Sequence, residues 1–229
     1  RVFTNEFSRI SGRVNVNQKV GNWLDFSTNV NLSHTNRVGF NDTRNTGSNL
    51  FMQTRNLLWG FYWPTDYSSG DPWTSKYDSY AQNLLYHRNE WDNNSHVTKL
   101  IGSETLTINI LPELTVRSIL SYENTETKDK IYYSKNHFNG TPNGIVHEMS
   151  TNTYKLVSST TANYVKDFGE KHNLNVLVGF EAERNKTRFM RATAENMPSS
   201  ALPTVATGGI RDANAYSWGH SMVSILSKA

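Results

Sequence analysis

From Ile10 onward, apolar and polar residues alternate with a period of two. Ile10, Gly12, Val14 and Val16 take one side, and Ser11, Arg13, Asn15 and Asn17 the other. After a short turn near 19–22 the phase resumes, with Leu24, Phe26, Thr28, Val30 and Leu32 opposing Asp25, Ser27, Asn29, Asn31 and Ser33. Successive side chains of a strand point to opposite faces, whereas helical geometry would scatter these residues around a cylinder. The two runs therefore predict a β-hairpin. The pattern returns twice. Leu100, Gly102, Leu106, Ile108 and Ile110 pass through a tight turn at 112–113 to Leu114, Val116, Leu120 and Tyr122. Leu156, Ser158, Thr160, Ala162 and Tyr164 pass through 166–172 to Leu174, Val176, Val178, Phe180 and Ala182. A seventh strand is expected from near Trp218 through Met222 towards Leu226.

The connections alternate as regularly as the residues. Between the short turns lie three long stretches without alternation, near 35–94, 124–151 and 185–216. In an up-and-down meander alternate connections fall at the same end, so one end is tidy and the other elaborate. Short turns at one end and long extracellular loops at the other are the layout of an outer-membrane barrel. Runs of about ten residues suit it, since a tilted membrane strand needs about nine to eleven. The expectation is thus an all-β fold: an antiparallel up-and-down meander of about six or seven strands, belonging to a larger transmembrane β-barrel. Residues 1–229 then form one partial barrel domain. Trp23, Tyr122, Tyr164 and Phe168 fall at strand ends, where aromatic girdles sit. Glu104 conflicts with this reading, because it falls on the apolar side near the middle of its strand. A bulge, a position above the bilayer or a contact with a neighbouring segment would each accommodate it.

Composition then takes on a different meaning. Of 229 residues 27 are asparagine, only 36% are hydrophobic, and 12% are aromatic; mean hydropathy is −0.61. That is little aliphatic material for a thick core, yet too many aromatics for a disordered chain. If lipid covers the apolar face and water the other, the shortage disappears. No apolar run approaches the roughly 20 residues of a membrane helix. The absence of cysteine excludes disulfides and thiolate metal sites. A net charge of +3 gives little reason to expect nucleic acid as a partner.

Three stretches carry a family resemblance. Phe7-Ser-Arg9-Ile-Ser-Gly-Arg13-Val-Asn15-Val-Asn17, followed by Asn22-Trp23-Leu-Asp-Phe26-Ser-Thr-Asn29-Val-Asn31-Leu-Ser33, resembles an early barrel hairpin of the SusC/RagA-like TonB-dependent transporters. Tyr164-Val-Lys-Asp-Phe168-Gly169-Glu-Lys-His172-Asn173-Leu-Asn-Val-Leu-Val-Gly179-Phe-Glu181 resembles a later hairpin, and Ser217-Trp-Gly-His-Ser221-Met-Val-Ser-Ile-Leu-Ser the strand after it. The resemblance covers most strand regions and little of the long connections. It implies an internal slice of a barrel of about 22 strands, with the plug domain and TonB box outside this segment. It further implies the outer membrane of a Gram-negative, Bacteroidetes-like bacterium. The implied activity is TonB-energised import of oligosaccharides or peptides beneath a SusD-like surface lipoprotein, with no catalysis and no cofactor.

Candidate contact residues follow from chemistry as well as position. The first long connection is rich in aromatics, among them Trp59, Trp63, Trp73, Tyr77 and Tyr86, beside Asn, Asp and Gln. Such residues stack on sugar rings or grip peptide side chains; equally, they can cluster to order a long loop. On the polar side Arg13, Asn29, Asn31, Arg117, Glu181 and Glu183 are expected to line a watery lumen, the carboxylates balancing Arg13 and Arg117. Glu181 and Glu183 also admit a rival reading, a soluble β-sandwich glycoside hydrolase with a carboxylate pair. A carbohydrate-binding module using the aromatic loop is a second rival. The seven histidines form no i, i+4 pair or zincin pattern, and no phosphate-binding loop or nucleophile elbow occurs, so neither a metal site nor a catalytic site is expected.

Overall fold

A computed structural model describes residues 6–39, 90–137, 140, 142–169 and 172–228. Seven strands form one antiparallel sheet in strict chain order: β1 (Glu6–Val20), β2 (Leu24–Val38), β3 (Trp91–Leu111), β4 (Leu114–Tyr133), β5 (Ile145–Asp167), β6 (Asn173–Glu195) and β7 (Ile210–Lys228). The described residues contain no α-helix, and a 3-10 turn lies at Val205–Thr207. The meander read from alternation is therefore the fold. The three short turns share one end of the sheet. Gly21 opens the first with φ 58°, a left-handed conformation in which a side chain would be strained.

The pairing is regular, and this fixes what shares a face. Even-numbered residues of β1 to β6 lie together and meet the odd-numbered residues of β7. One paired row reads Val16, Thr28, Glu104, Leu120, Ser158, Ala182 and Val223 across all seven strands. On β7 it is thus Val223 and Ile225 that continue the apolar face. Met222 and Leu226 lie on the polar one, where Leu226 packs over Gly179 in space that a Cβ would fill.

This apolar face is uncovered. Ile10 and Ile225 are 79% and 80% exposed, and Val14, Leu120, Phe180 and Val223 are exposed as well. Among the described residues no second sheet packs on it, which is a correction to the β-sandwich alternative. Among the described residues the buried apolar side chains are Tyr132, Tyr133, Val146, Ala194 and Met197, all at the far end from the short turns. Water would penalise so large a greasy surface; hydrocarbon would not.

The apolar band does not follow the paired rows. Its upper border passes through Ile10, Leu32, Leu100, Tyr122, Leu156, Ala182 and Val223, stepping down from β1 to β7. The fall is six residues, about 20 Å, over six strand spacings, about 29 Å. The border therefore slants at about 35° to the hydrogen-bonded rows, which is the tilt of strands in a membrane barrel.

Above that border both faces turn polar, as in Asn124–Lys130 of β4 and Arg184–Arg191 of β6, with few apolar interruptions. Alternation vanishes there although the ladders continue. The strands consequently run further than alternation marks them: β4 reaches Tyr133, β5 starts at Ile145 and β6 reaches Glu195. Two of the three long connections shrink to 134–144 and 196–209, and the third spans 39–90, almost all of it outside the described residues. β7 begins at Ile210, well before Trp218. The connection 196–209 folds back on the outer face, where Met197 and Val205 pack on Tyr132, Val146 and Ala194. Gly208 allows this approach, since a Cβ there would meet that of Ala194 at 2.5 Å.

Glu104 sits within the apolar band, between Thr28 on β2 and Leu120 on β4. No bulge displaces it. The Thr28 hydroxyl donates a 2.6 Å hydrogen bond to Glu104 Oε2, so the contact is with a neighbouring strand.

Candidate functional site

The polar face is built from residues whose side chains satisfy each other across strands. Ser27 donates to Asn17 Oδ1 at 2.6 Å, Thr115 to Asn109 Oδ1 at 3.0 Å, and the Thr153 and Thr187 hydroxyls bond at 3.0 Å. Arg13 pairs in register with Asn31, and Asn29 with Asn15. With Ser103 and Ile101 they line a depression of about 280 Å3 over β1 to β3. Arg117 stands between Thr107 and Thr161, and Glu181 between Ser159 and Ser224. All six polar-side candidates thus share this face, although they do not converge on one point.

Glu183 differs from the expectation. It pairs with Lys155 at 2.9 Å and with His220 Nε2 at 3.5 Å, not with Arg13 or Arg117. Those arginines lie on strands β1 and β4, which do not neighbour β6. Glu183 has 14% of its side chain accessible. Its partners extend into a longer series. Lys99 on β3 bonds Glu123 on β4 at 2.6 Å, and Glu123 faces Lys155 on β5 in register. Lys99, Glu123, Lys155 and Glu183 therefore form a ladder of alternating charge across four strands, with His220 of β7 at its end. Each member up to Glu183 flanks a residue of the apolar border on the opposite face: Leu100, Tyr122, Leu156 and Ala182. The ladder follows the same slant. Glu183 is thus held between a lysine of β5 and a histidine of β7.

Lys99, Glu123, Lys155 and His220 were not among the residues read from sequence. Hairpin register around 112–113 places Lys99 within reach of Glu123, so that pair was readable. The links from β4 to β5 and from β6 to β7 cross the longer connections, whose register sequence does not supply. Trp59, Trp63, Trp73, Tyr77 and Tyr86 lie outside the described residues. Among the described residues no cluster of His, Asp and Glu is arranged to hold a metal.

Aromatic residues mark both borders of the apolar band. Trp23 and Phe168 stand exposed at the short-turn end, and Tyr122, exposed, and Tyr154, half-buried, lie at the upper border. Sheet, slanting band, girdles and polar face together define a piece of transmembrane β-barrel wall.

Comparison with solved structures agrees. The chain superposes on structures of the RagAB peptide transporter with a TM-score of 0.75 at 20% identity. Against the RagAB peptide importer the TM-scores are 0.70 in the "closed-closed" state and 0.73 in the "open-open" state, at 17% and 19% identity. Each match covers 97% of this chain and 25–26% of the other. The chain thus spans about a quarter of the length of the proteins it resembles, and the resemblance read from the two hairpins holds at the level of fold. No family model matches the chain, and no curated protein matches it significantly.

Proposed function

We propose that this chain is wall and rim of an outer-membrane importer of peptides or oligosaccharides, driven by TonB and working with a SusD-like surface lipoprotein. The observation that carries the proposal is the uncovered apolar band, slanted across a seven-stranded meander whose other face is polar and internally paired. Such a sheet is stable with lipid on one side and water on the other. The likeness to a peptide importer supports import as the activity and puts peptides first among substrates.

In this reading the polar face lines the lumen. Arg13, Asn29, Asn31, Arg117, Glu181 and Glu183 then offer a passing solute hydrogen bonds and both signs of charge, spread over the wall rather than gathered at one point. Trp59, Trp63, Trp73, Tyr77 and Tyr86 are assigned to contact with substrate or with the lipoprotein lid. Transport through this wall forms and breaks no covalent bond. Uptake of labelled peptides and labelled oligosaccharides by cells with and without the gene tests the proposal. Uptake of one class should fall on deletion and on dissipating the proton-motive force. Unchanged uptake of both classes overturns it.

A further inference from the structure

The outer face carries an uncompensated cationic cluster at a defined height. Arg184, Lys186 and Arg188 occupy successive outward positions of β6, beginning in the row directly above Ala182 at the apolar border. All three are exposed, and among the described residues none makes an ion pair. Lysines higher on the same face differ: Lys128 pairs with Glu126 at 3.1 Å, and Lys130 stands opposite Glu148. Around the triad the register partners are uncharged, Leu156, Tyr154 and Asn152 on one side and Ser221, Gly219 and Ser217 on the other. These small β7 residues leave a trough of about 300 Å3 beside Arg184 and Lys186. Gly219 is needed for it, because a Cβ there would meet Asn185 O at 2.4 Å.

We propose that Arg184, Lys186 and Arg188 bind the phosphate of an outer-leaflet glycolipid whose acyl chains lie on the band below. The inference rests on the outer-membrane reading. At that height a cation meets neither hydrocarbon nor open water but the head-group layer. Three unpaired cations there attract anionic head groups, each contributing through a field that salt screens. Arginine adds paired donors that match phosphate oxygens. Tyr154, beside Lys186, supplies an amphipathic ring at the same level.

The test uses the whole polypeptide that carries this chain, reconstituted into phosphatidylcholine nanodiscs containing a phosphorylated lipid A or its dephosphorylated form. Native mass spectrometry reads the glycolipid retained. Retention of the phosphorylated form should exceed that of the other, and the variant R184Q/K186Q/R188Q should bind it about a hundredfold more weakly at low salt. The variant K128Q/K130Q should bind as the parent does. The single variant K186Q, with a loss of about fivefold, covers the case in which the triple variant fails to fold. Equal retention of the two lipids, or a folded triple variant that keeps the preference, overturns the proposal. A triple variant that keeps lipid but loses an acidic protein partner overturns it too. Failure of the parent to enter nanodiscs at all contradicts the outer-membrane reading instead.

Discussion

Removing the Thr28 hydroxyl leaves Glu104 on the apolar band without the donor that bonds it at 2.6 Å. Thr28→Val is expected to destabilise the folded barrel by about 1–3 kcal/mol, since an acceptor facing hydrocarbon loses its partner. Glu104→Leu should be neutral or stabilising, and Thr28→Val on that background close to neutral. Urea unfolding in lipid vesicles, run as a double-mutant cycle, measures the coupling; additive effects would contradict the pairing. The conflict at Glu104 was legible in the sequence as an acid on the wrong side. Its resolution was not, because Thr28 is 76 residues away and joined through the longest connection. Glu183 teaches the same lesson. Its face could be read by parity, whereas its partners Lys155 and His220 depend on registers that no short turn sets.

Strands were readable where their two faces meet different solvents, and only there. Alternation reports a contrast between lipid and water, not the backbone ladder itself. Thus β5 and β6 were visible over about half of their 23 residues, and their polar upper halves read as loop. At about 3.3 Å per residue such strands reach about 76 Å, far beyond an apolar band about 25 Å tall. A charge scan separates the two halves. Leu120→Arg, within the band, should cost about 2–4 kcal/mol, while arginine at Ser150, on the same face above it, should cost about 0–1. Folding yields in vesicles report both, and equal costs would place the border elsewhere. The upper tips hold by a different device. Val146 is 0% exposed beneath Met197 and Val205, so Val146→Ala should cost about 0.5–2 kcal/mol locally. Faster proteolysis within 196–209, with the membrane half still protected, is the expected outcome. Nothing in the sequence marked this cluster, because its members come from three strands and a connection that lacks any period.

At the scale of the molecule, the composition and the fold explain each other. A chain with 27 asparagines and 36% hydrophobic residues cannot build a thick two-layer core; a single-layer wall between lipid and water does not require one. The slant of about 35° adds a geometric check, since a soluble one-faced sheet has no reason to align its apolar border with barrel tilt. What sequence could not supply was height, because height appears only when the strands are placed side by side. Within these 229 residues no native cysteine competes for a label. Single cysteines at Val14, Val30, Leu120, Ala162, Phe180 and Val223, and at their neighbours Asn15, Asn31, Ser121, Asn163, Glu181 and Ser224, can carry nitroxide labels in the reconstituted whole polypeptide. Relaxation by oxygen marks lipid and relaxation by a water-soluble nickel chelate marks water. The first set should respond to oxygen and the second to nickel, and of two further labels in one paired row, Leu32 on β2 should respond to oxygen and Lys186 on β6 to nickel. Nickel access equal in the two sets, or a border level with the paired rows, would contradict a tilted wall between lipid and water.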